Sequence, residues 1–168
     1  MAYAIKDPII GAQAIADTAT TANTATPLGT IVQAYDSTYG SGEFIYLLGV
    51  ASTVVGSVVS YNATTYQTTL VPSTANLDTP LAVAMSANVA SQYGWYQISG
   101  LAVCKKTNVS WEPQKAAFIS GTAGRVMDTT ASGKQVLNAK SANLATVTTT
   151  TSTIILLINR PFAQGQVI

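Results

Sequence analysis

Apolar residues recur along most of this chain in short runs that have no helical period. From Gly29 onward, runs rich in β-branched and aromatic residues alternate with polar pieces such as DSTYGSG, PSTANLDTP and TTASGK. Strand-sized runs at intervals of about 8–12 residues, with turn signals between them, are typical of a β-sandwich or barrel. The pattern therefore predicts one all-β domain over residues 27–168, folded as a small β-sandwich or barrel of short strands. The predicted strands are GTIVQAY, EFIYLLGV, VVGSVVSY, YQTTLV, PLAVAMS, YGWYQISG, LAVCK, AAFIS, GRVMD, QVLNAK and a final TVTTTTSTIILLIN that stops at Arg160 and Pro161.

Residues 1–26 follow a different pattern, in which a few apolar residues precede the polar tract TATTANTATP. A short helix over residues 9–16 is one interpretation, but the favoured one is an extended N-terminal arm over residues 1–26. Fully extended, such an arm reaches about 85 Å, against a radius of gyration of about 14 Å for the rest, so it can cross onto a neighbour. Because ordering a residue costs about 1–2 kcal/mol, we expect an ordered arm to be held from outside its own domain. The apolar anchors of the arm are Tyr3, Ile5, Ile9, Ile10 and Ile15.

The stretch SQYGWYQISG, residues 91–100, concentrates aromatic side chains around a glycine. In a strand, Trp95 faces one side of the sheet and Tyr96 faces the other, so both faces carry a large aromatic ring. Gly94 and Gly100 permit a bulge or the close approach of another backbone. Such a strand is either internal to a two-layer core or covered by a partner, and its role is packing rather than chemistry.

The composition indicates a surface with few charges. Hydrophobic residues make up 48% of the chain and charged residues 9%, with a formal net charge of +1. An ordinary soluble domain has about 25% charged residues, and a net charge near zero does little to keep molecules apart. We therefore expect much of the surface to be covered by other subunits. Lys105 and Lys106 form the only adjacent basic pair, too little for nucleic acid, and no apolar run approaches the roughly 20 residues of a membrane span.

The residue types exclude several kinds of active site. The chain has no histidine, and its one cysteine, Cys104, excludes an intrachain disulfide and is interpreted as a small apolar strand residue. Asp36 and Glu43 flank a possible hairpin tip, where they are open to three interpretations: a glycosidase pair, a calcium site, or a solvated tip. The solvated tip is favoured. We predict no enzymatic activity and no catalytic, cofactor or metal site.

Carbohydrate binding is the alternative function, because aromatic side chains provide stacking platforms for sugars. Tyrosine also fits strands and protein interfaces, where its flat apolar body carries a polar end. A carbohydrate- or host-surface-binding β module predicts exposed aromatic side chains grouped on one concave face. The candidates are Tyr35, Tyr39, Tyr46, Tyr61, Tyr66, Trp95 and Trp111.

The order of segments resembles a known family. An arm precedes PLGTIV, which is followed by GEFIYLLGVASTVVGSVVSYN, by PLAVAMSANVASQYGWYQISG and by a terminal strand that ends INRPF. This order is similar to that of the small head decoration proteins of tailed bacteriophages and prophages, also called capsid cement or stabilisation proteins. The resemblance covers roughly residues 1–162, is most specific in VAMSANVASQYGWYQISG, and is weakest over residues 107–132.

The resemblance implies a structural protein on the outer capsid surface of a virion, made in the host cytoplasm. Members of the family commonly sit as trimers at the three-fold and quasi-three-fold positions, with arms that reach over seams between capsid subunits. The implied partners are the major capsid protein and sister copies of the chain. The family offers no catalytic residues. We expect the anchors of the arm to contact the capsid or a neighbour, and Tyr93, Trp95 and Trp111 to form an inter-subunit surface.

Overall fold

The computed structural model describes residues 1–7, 9, 11–22, 25–107 and 109–166, and within them every regular element is a β-strand. The predicted all-β class is therefore confirmed. All strand pairs are antiparallel, as short strands joined by turns require. The strands are β1 Ala4–Ile5, β2 Ile31–Asp36, β3 Gly40–Leu48, β4 Val58–Tyr61, β5 Thr68–Leu70, β6 Leu81–Ala84, β7 Tyr93–Lys105, β8 Ala116–Ile119, β9 Val126–Met127, β10 Gln135–Ser141 and β11 Thr153–Ala163.

One sheet contains all of these strands and branches at the long strand β7. The main order is β1-β2-β3-β7-β11-β10-β8-β9, while β6 pairs with β7 and with β4, which in turn pairs with β5. The main-chain N–H of Val58 donates to the Gly124 carbonyl, and the N–H of Gly124 donates to the Val71 carbonyl, each at 2.9 Å. These two bonds link β4 and the residue that follows β5 to the turn before β9, so the branch curls around an enclosed core.

Three apolar clusters fill the fold. Cluster 1 lies inside the curled part and includes Val58, Leu81, Cys104, Trp111, Ile119, Ile154, Leu156 and Ile158. Cluster 2 lies between β2, β3, β7 and the arm, and includes Tyr3, Ile15, Val32, Phe44, Tyr46, Met85 and Trp95. Cluster 3 lies on the other face of β3 and includes Ile45, Leu47, Val59, Ala84, Tyr96 and Ile98.

Strand β7 confirms the packing interpretation of the aromatic stretch. Two strands were predicted here, but the chain continues as one strand of 13 residues, with Trp95 in cluster 2 and Tyr96 in cluster 3. Gly100 permits the continuation, because its φ is 97° and a Cβ there would lie 2.6 Å from the Ser41 carbonyl oxygen. The predicted close approach of another backbone is confirmed at Gly100. Residues 94–98 of the strand are internal to a layered core within one chain.

Strand β11 corrects the predicted end of the last strand. It begins at Thr153 rather than in the threonine tract, and it continues through Arg160 and Pro161 to Ala163. Arg160 has a φ of 46°, and the register with β10 shifts between Leu137 and Ala139. A bulge at this point accommodates a proline, which has no N–H to give to the ladder. The proline therefore bends the strand without ending it.

Candidate interaction surfaces

The N-terminal arm lies against its own domain. β1 pairs with β2 in the register Ala4 to Tyr35, and Tyr3 and Ile15 are buried, with 7% and 2% of their surface exposed. The Tyr3 ring meets the Phe44 ring edge-on at 4.8 Å, and burial raises the pKa of Tyr3 to about 12. The expectation that an ordered arm needs a partner outside its domain is therefore wrong.

The remaining anchors of the arm and the alternative helix can also be placed. Ile5 and Ile9 are partly buried against cluster 2, whereas Ile10 lies outside the described residues. The described part of residues 9–16 forms turns and irregular chain, with no helix. The described anchors therefore contact the chain's own β domain, and the contact of the anchors with a capsid stays a prediction.

Gln13 fastens the arm, and the apolar pattern of the sequence does not predict this role. Its Oε1 accepts a hydrogen bond from the Tyr46 hydroxyl at 2.9 Å, and its main-chain oxygen accepts one from the Trp95 indole N–H at 2.8 Å. Its Nε2 donates to the Tyr93 carbonyl at 3.3 Å. A single polar residue thus satisfies the polar ends of buried aromatic side chains. The apolar pattern gave no signal for it, because its partners are more than 30 residues away.

The structure corrects the expected inter-subunit surface. Trp95 and Trp111 each have 0% of their surface exposed, in clusters 2 and 1, so a partner that meets the folded domain does not reach them. Trp111 also joins Val147 in a two-residue bridge that links the chain between β7 and β8 to the chain between β10 and β11. Tyr93 is half-buried, stacks on Tyr46 at 6.4 Å and is bridged to Ala19 of the arm.

Asp36 and Glu43 do not form a joint site. Asp36 pairs with Gly40 and Glu43 with Gln33, so the two carboxylates stand three pairs apart along the hairpin and, by strand alternation, on opposite faces. Glu43 forms an ion pair with Arg160 at 3.3 Å. The geometry excludes both the glycosidase pair and the shared calcium site. Among the described residues, no group of three or more acidic, cysteine or histidine side chains is placed to hold a metal.

Cys104 is buried in cluster 1, as its position in an apolar strand predicted. It has 0% of its surface exposed, and burial raises the pKa of its thiol to about 12. A thiol with such a pKa is almost entirely protonated near neutral pH, and only the thiolate is a good nucleophile. Cys104 is a packing residue.

An apolar surface remains on the outside of β7 and β11. Alternate residues of these strands fill cluster 1, so the residues between them point outward. Leu101 pairs with Leu157, and Val103 pairs with Ile155. Leu157 has 42% of its surface exposed, and the other three are half-buried. We call Leu101, Val103, Ile155 and Leu157 the β7–β11 outer face.

Polar residues border this face at both ends. Lys105 pairs with Thr153 at one end, and Ser99 pairs with Asn159 at the other. An apolar centre with a polar border is the usual anatomy of a protein contact. The β7–β11 outer face is therefore the candidate interaction surface. Sequence patterning did not isolate it, because it depends on the register between two strands that are about 50 residues apart.

The exposed aromatic side chains do not form the expected sugar-binding face. Of the seven candidates, Tyr46, Trp95 and Trp111 are fully buried, and Tyr39, Tyr61 and Tyr66 are half-buried. Tyr35 is exposed, and the Lys6 ammonium lies 5.4 Å from its ring centroid.

No family model, no curated protein and no solved structure matches the chain. Among the described residues, no helix is long and apolar enough to cross a membrane.

Proposed function

We propose that this chain is a structural protein of a tailed-bacteriophage virion that binds the outside of the assembled capsid and stabilises it. The binding unit is a trimer at the three-fold and quasi-three-fold positions, where it bridges major capsid subunits. The resemblance of the sequence supports the class of protein. The single structural observation that carries the proposal is the β7–β11 outer face. It is an apolar surface that stays partly exposed to solvent on the folded domain.

The apolar character of this face supports a contact between copies of the chain. Permanent contacts between identical subunits resemble a core cut in half, whereas contacts between separately folded partners are about as polar as the rest of the surface. Cyclic trimers also match the local symmetry of a three-fold position. We therefore assign Leu101, Val103, Ile155 and Leu157 to the contact between sister subunits.

The proposed stabilisation follows from selective binding. A ligand that binds the assembled shell and not its separated subunits shifts the equilibrium toward the shell. A trimer presents each of its capsid contacts three times, so weak individual contacts add up to long-lived attachment. No catalysis is required, and the chain acts through contacts alone.

The carbohydrate-binding alternative has less support. Sugar binding needs exposed aromatic rings as stacking platforms, but both tryptophans lie in the core. Tyr35 and Phe162, the exposed aromatic residues of the described chain, sit on the separate strands β2 and β11.

Co-sedimentation tests the proposed function. The purified chain is mixed with empty shells assembled from the major capsid protein of the same genome, and in parallel with that capsid protein unassembled. We expect the chain to sediment with the shells, to saturate in multiples of a trimer, and to raise the temperature at which the shells fall apart. Equal binding to unassembled subunits, or no binding to shells, would contradict the proposal. Shells from an unrelated phage serve as the control for non-specific adhesion.

A further inference from the structure

A cleft beside the β7–β11 outer face holds two cations that the chain does not neutralise. The cleft has a volume of about 230 Å³ and lies between the loop 50–57 and the turn 121–125. Lys105 and Arg125 line it, with no acidic side chain among its lining residues. Within the described chain, neither cation takes part in a salt bridge. Its polar walls are Ser52, Ser57 and Thr122.

The loop that forms one wall is fixed in place. The N–H of Gly56 donates to the Ala84 carbonyl at 2.8 Å, and the carbonyl of Gly56 accepts from the N–H of Lys105 at 2.7 Å. Gly56 has a φ of 82°, and a Cβ there would lie 2.9 Å from the Val103 carbonyl oxygen. The loop is thus pinned to both β6 and β7 at a position that requires glycine.

The opposite wall positions one of the cations. Nη1 of Arg125 donates to the Lys106 carbonyl at 3.1 Å, which holds the guanidinium at the cleft and leaves its other N–H groups for a ligand. The N–H of Thr122 donates to the Ser120 hydroxyl at 3.0 Å, so the turn itself is closed. A held guanidinium and a lysine side chain in one cleft, with hydroxyl groups on its walls, suit a small oxyanion.

We propose that this cleft binds a carboxylate, and that the carboxylate is Asp17 of a second copy of the chain. The cleft continues the β7–β11 outer face, because Lys105 is the next outward residue of β7 after Val103. A sister subunit that covers that face therefore reaches the cleft. The contact in a cyclic trimer joins two different patches, so a cation cleft on one copy can meet an acid on the next.

The side chain of Asp17 is accessible to a neighbouring subunit. It is exposed and lies between the exposed small residues Ala16 and Thr18, which let the carboxylate enter a narrow cleft. Its carbonyl accepts hydrogen bonds from Nε2 of Gln13 at 2.6 Å and from the Ser86 hydroxyl at 3.0 Å. The main chain is therefore held while the carboxylate, which is in no salt bridge within the described residues, points to solvent.

This inference rests on the proposed trimer and not on the capsid, so the purified chain is sufficient to test it. Sedimentation equilibrium compares the wild type with Lys105→Gln, Asp17→Asn and the exchanged pair Lys105→Asp with Asp17→Lys. We expect each single change to raise the trimer dissociation constant at least about tenfold, and the exchange to recover most of that loss. Lys6→Gln and Asp78→Asn, which remove the same charges from exposed positions outside the β7–β11 outer face, are expected to leave the constant unchanged. Thermal melts verify that every variant is folded.

A second measurement tests the chemistry of the cleft. The Asp17→Asn chain, whose cleft is free of the neighbour's carboxylate, is labelled with ¹⁵N and titrated with sodium acetate at constant ionic strength. We expect amide shifts confined to residues 52–57 and 122–125, and we expect them to disappear in the Asp17→Asn, Lys105→Gln, Arg125→Gln variant. Inorganic phosphate is titrated in parallel. Phosphate binding without acetate binding overturns the assignment of a carboxylate.

The outcomes separate this inference from the proposed function. If Lys105→Gln and Asp17→Asn leave the trimer dissociation constant unchanged, the cleft contact is overturned, while the proposed binding to shells is unaffected. A wild type that stays monomeric at all concentrations overturns the second copy as occupant, and co-sedimentation with shells then decides the proposed function by itself.

Discussion

Lys106 shows how the fold uses a charged side chain in its interior. The residue has 0% of its surface exposed, and its ammonium group donates to the Val109 carbonyl at 2.7 Å and the Thr148 carbonyl at 3.0 Å. Burial lowers the pKa of Lys106, and the nearby Asp128 opposes that shift. The lysine ties the loop after β7 to the turn before β11. Its role is to hold these two segments together.

Lys106→Met tests this role, because methionine keeps much of the apolar stem and removes the donors. The carbonyls of Val109 and Thr148 then lose their partner, which costs about 1–3 kcal/mol for each group that stays buried. We expect the free energy of unfolding, measured in urea, to fall by roughly 1–3 kcal/mol, because Val109 is half-buried and Thr148 is exposed. Lys140→Met, at an exposed position, is expected to change it by less than about 0.5 kcal/mol. Equal effects would contradict the structural role.

Asp36 makes stability depend on pH. Its carboxylate accepts the N–H of Thr38 at 2.8 Å, of Tyr39 at 3.1 Å and of Ala2 at 2.6 Å. The bond from Thr38, aided by those from Ala2 and Tyr39, lowers its pKa below the ordinary value of 3.8. The folded state therefore favours the ionised form. The resulting stability is complete above the ordinary pKa and is lost as pH falls through the lowered value.

Asp36→Asn is expected to lower the melting temperature at neutral pH, because the amide is uncharged and is a weaker acceptor for the three N–H groups. The difference from the wild type should stay constant from about pH 8 to pH 5 and shrink below about pH 4, where the wild-type carboxylate becomes protonated. Thermal melts across this range measure it. A difference that is as large at pH 3 as at pH 7 would show that the charge of Asp36 is not involved.

At the scale of elements, the arm is part of the fold rather than an appendage. Removal of residues 1–26 takes away Tyr3 and Ile15 and uncovers Trp95. Each fully buried large side chain contributes about 1.5–3 kcal/mol, so we expect a loss of roughly 3–6 kcal/mol of unfolding free energy. Tryptophan emission should shift to longer wavelength, because Trp95 gains solvent while Trp111 stays in cluster 1.

A smaller change in the arm provides the control. Gln13→Ala removes the hydrogen bonds to Tyr46 and Tyr93 and is expected to destabilise by about 1–3 kcal/mol. Thr20→Ala, at an exposed position of the same arm, should have little effect. If the truncated chain is as stable as the wild type, the arm is not seated on cluster 2 in solution.

The strands were predictable because short apolar runs alternate with turn-forming segments along the chain. The strands β2, β3, β6, β8 and β10 lie where these runs predicted them. Three features depend on contacts that local pattern does not encode. β1 forms because the neighbouring Tyr3 ring packs against Phe44 of β3, a strand that is distant in sequence. β7 continues through Gly100, and β11 continues past Pro161 because a bulge accommodates the proline.

The surfaces were less predictable than the strands for a related reason. Trp95 and Trp111 were expected at an inter-subunit surface, yet they are the largest fully buried side chains and fill two of the cores. Asp36 and Glu43 are separated by strand alternation once the register of the hairpin is known. Likewise, the pairing register of β7 with β11 and the curl of the sheet determine which apolar residues of these strands point outward. Both depend on contacts between residues that are far apart in sequence.

At the scale of the whole molecule, the β7–β11 outer face determines how copies associate. Leu157→Lys places a charge at its most exposed position and should turn the trimer into a monomer at micromolar concentration without loss of folding. Light scattering measures the mass, and the thermal melt verifies the fold. Leu144→Lys, at a fully exposed leucine outside the face, is the matched control and should remain trimeric. A trimeric Leu157→Lys chain would place the contact between copies elsewhere.

The most direct test of the central claim is electron cryomicroscopy of shells before and after addition of the purified chain. We expect new density on the outer surface alone, with three-fold shape, at the three-fold and quasi-three-fold positions, and large enough for three copies of the β domain. Shells that gain no density, or density confined to the inside or to other positions, would contradict the account of this chain as a capsid decoration protein.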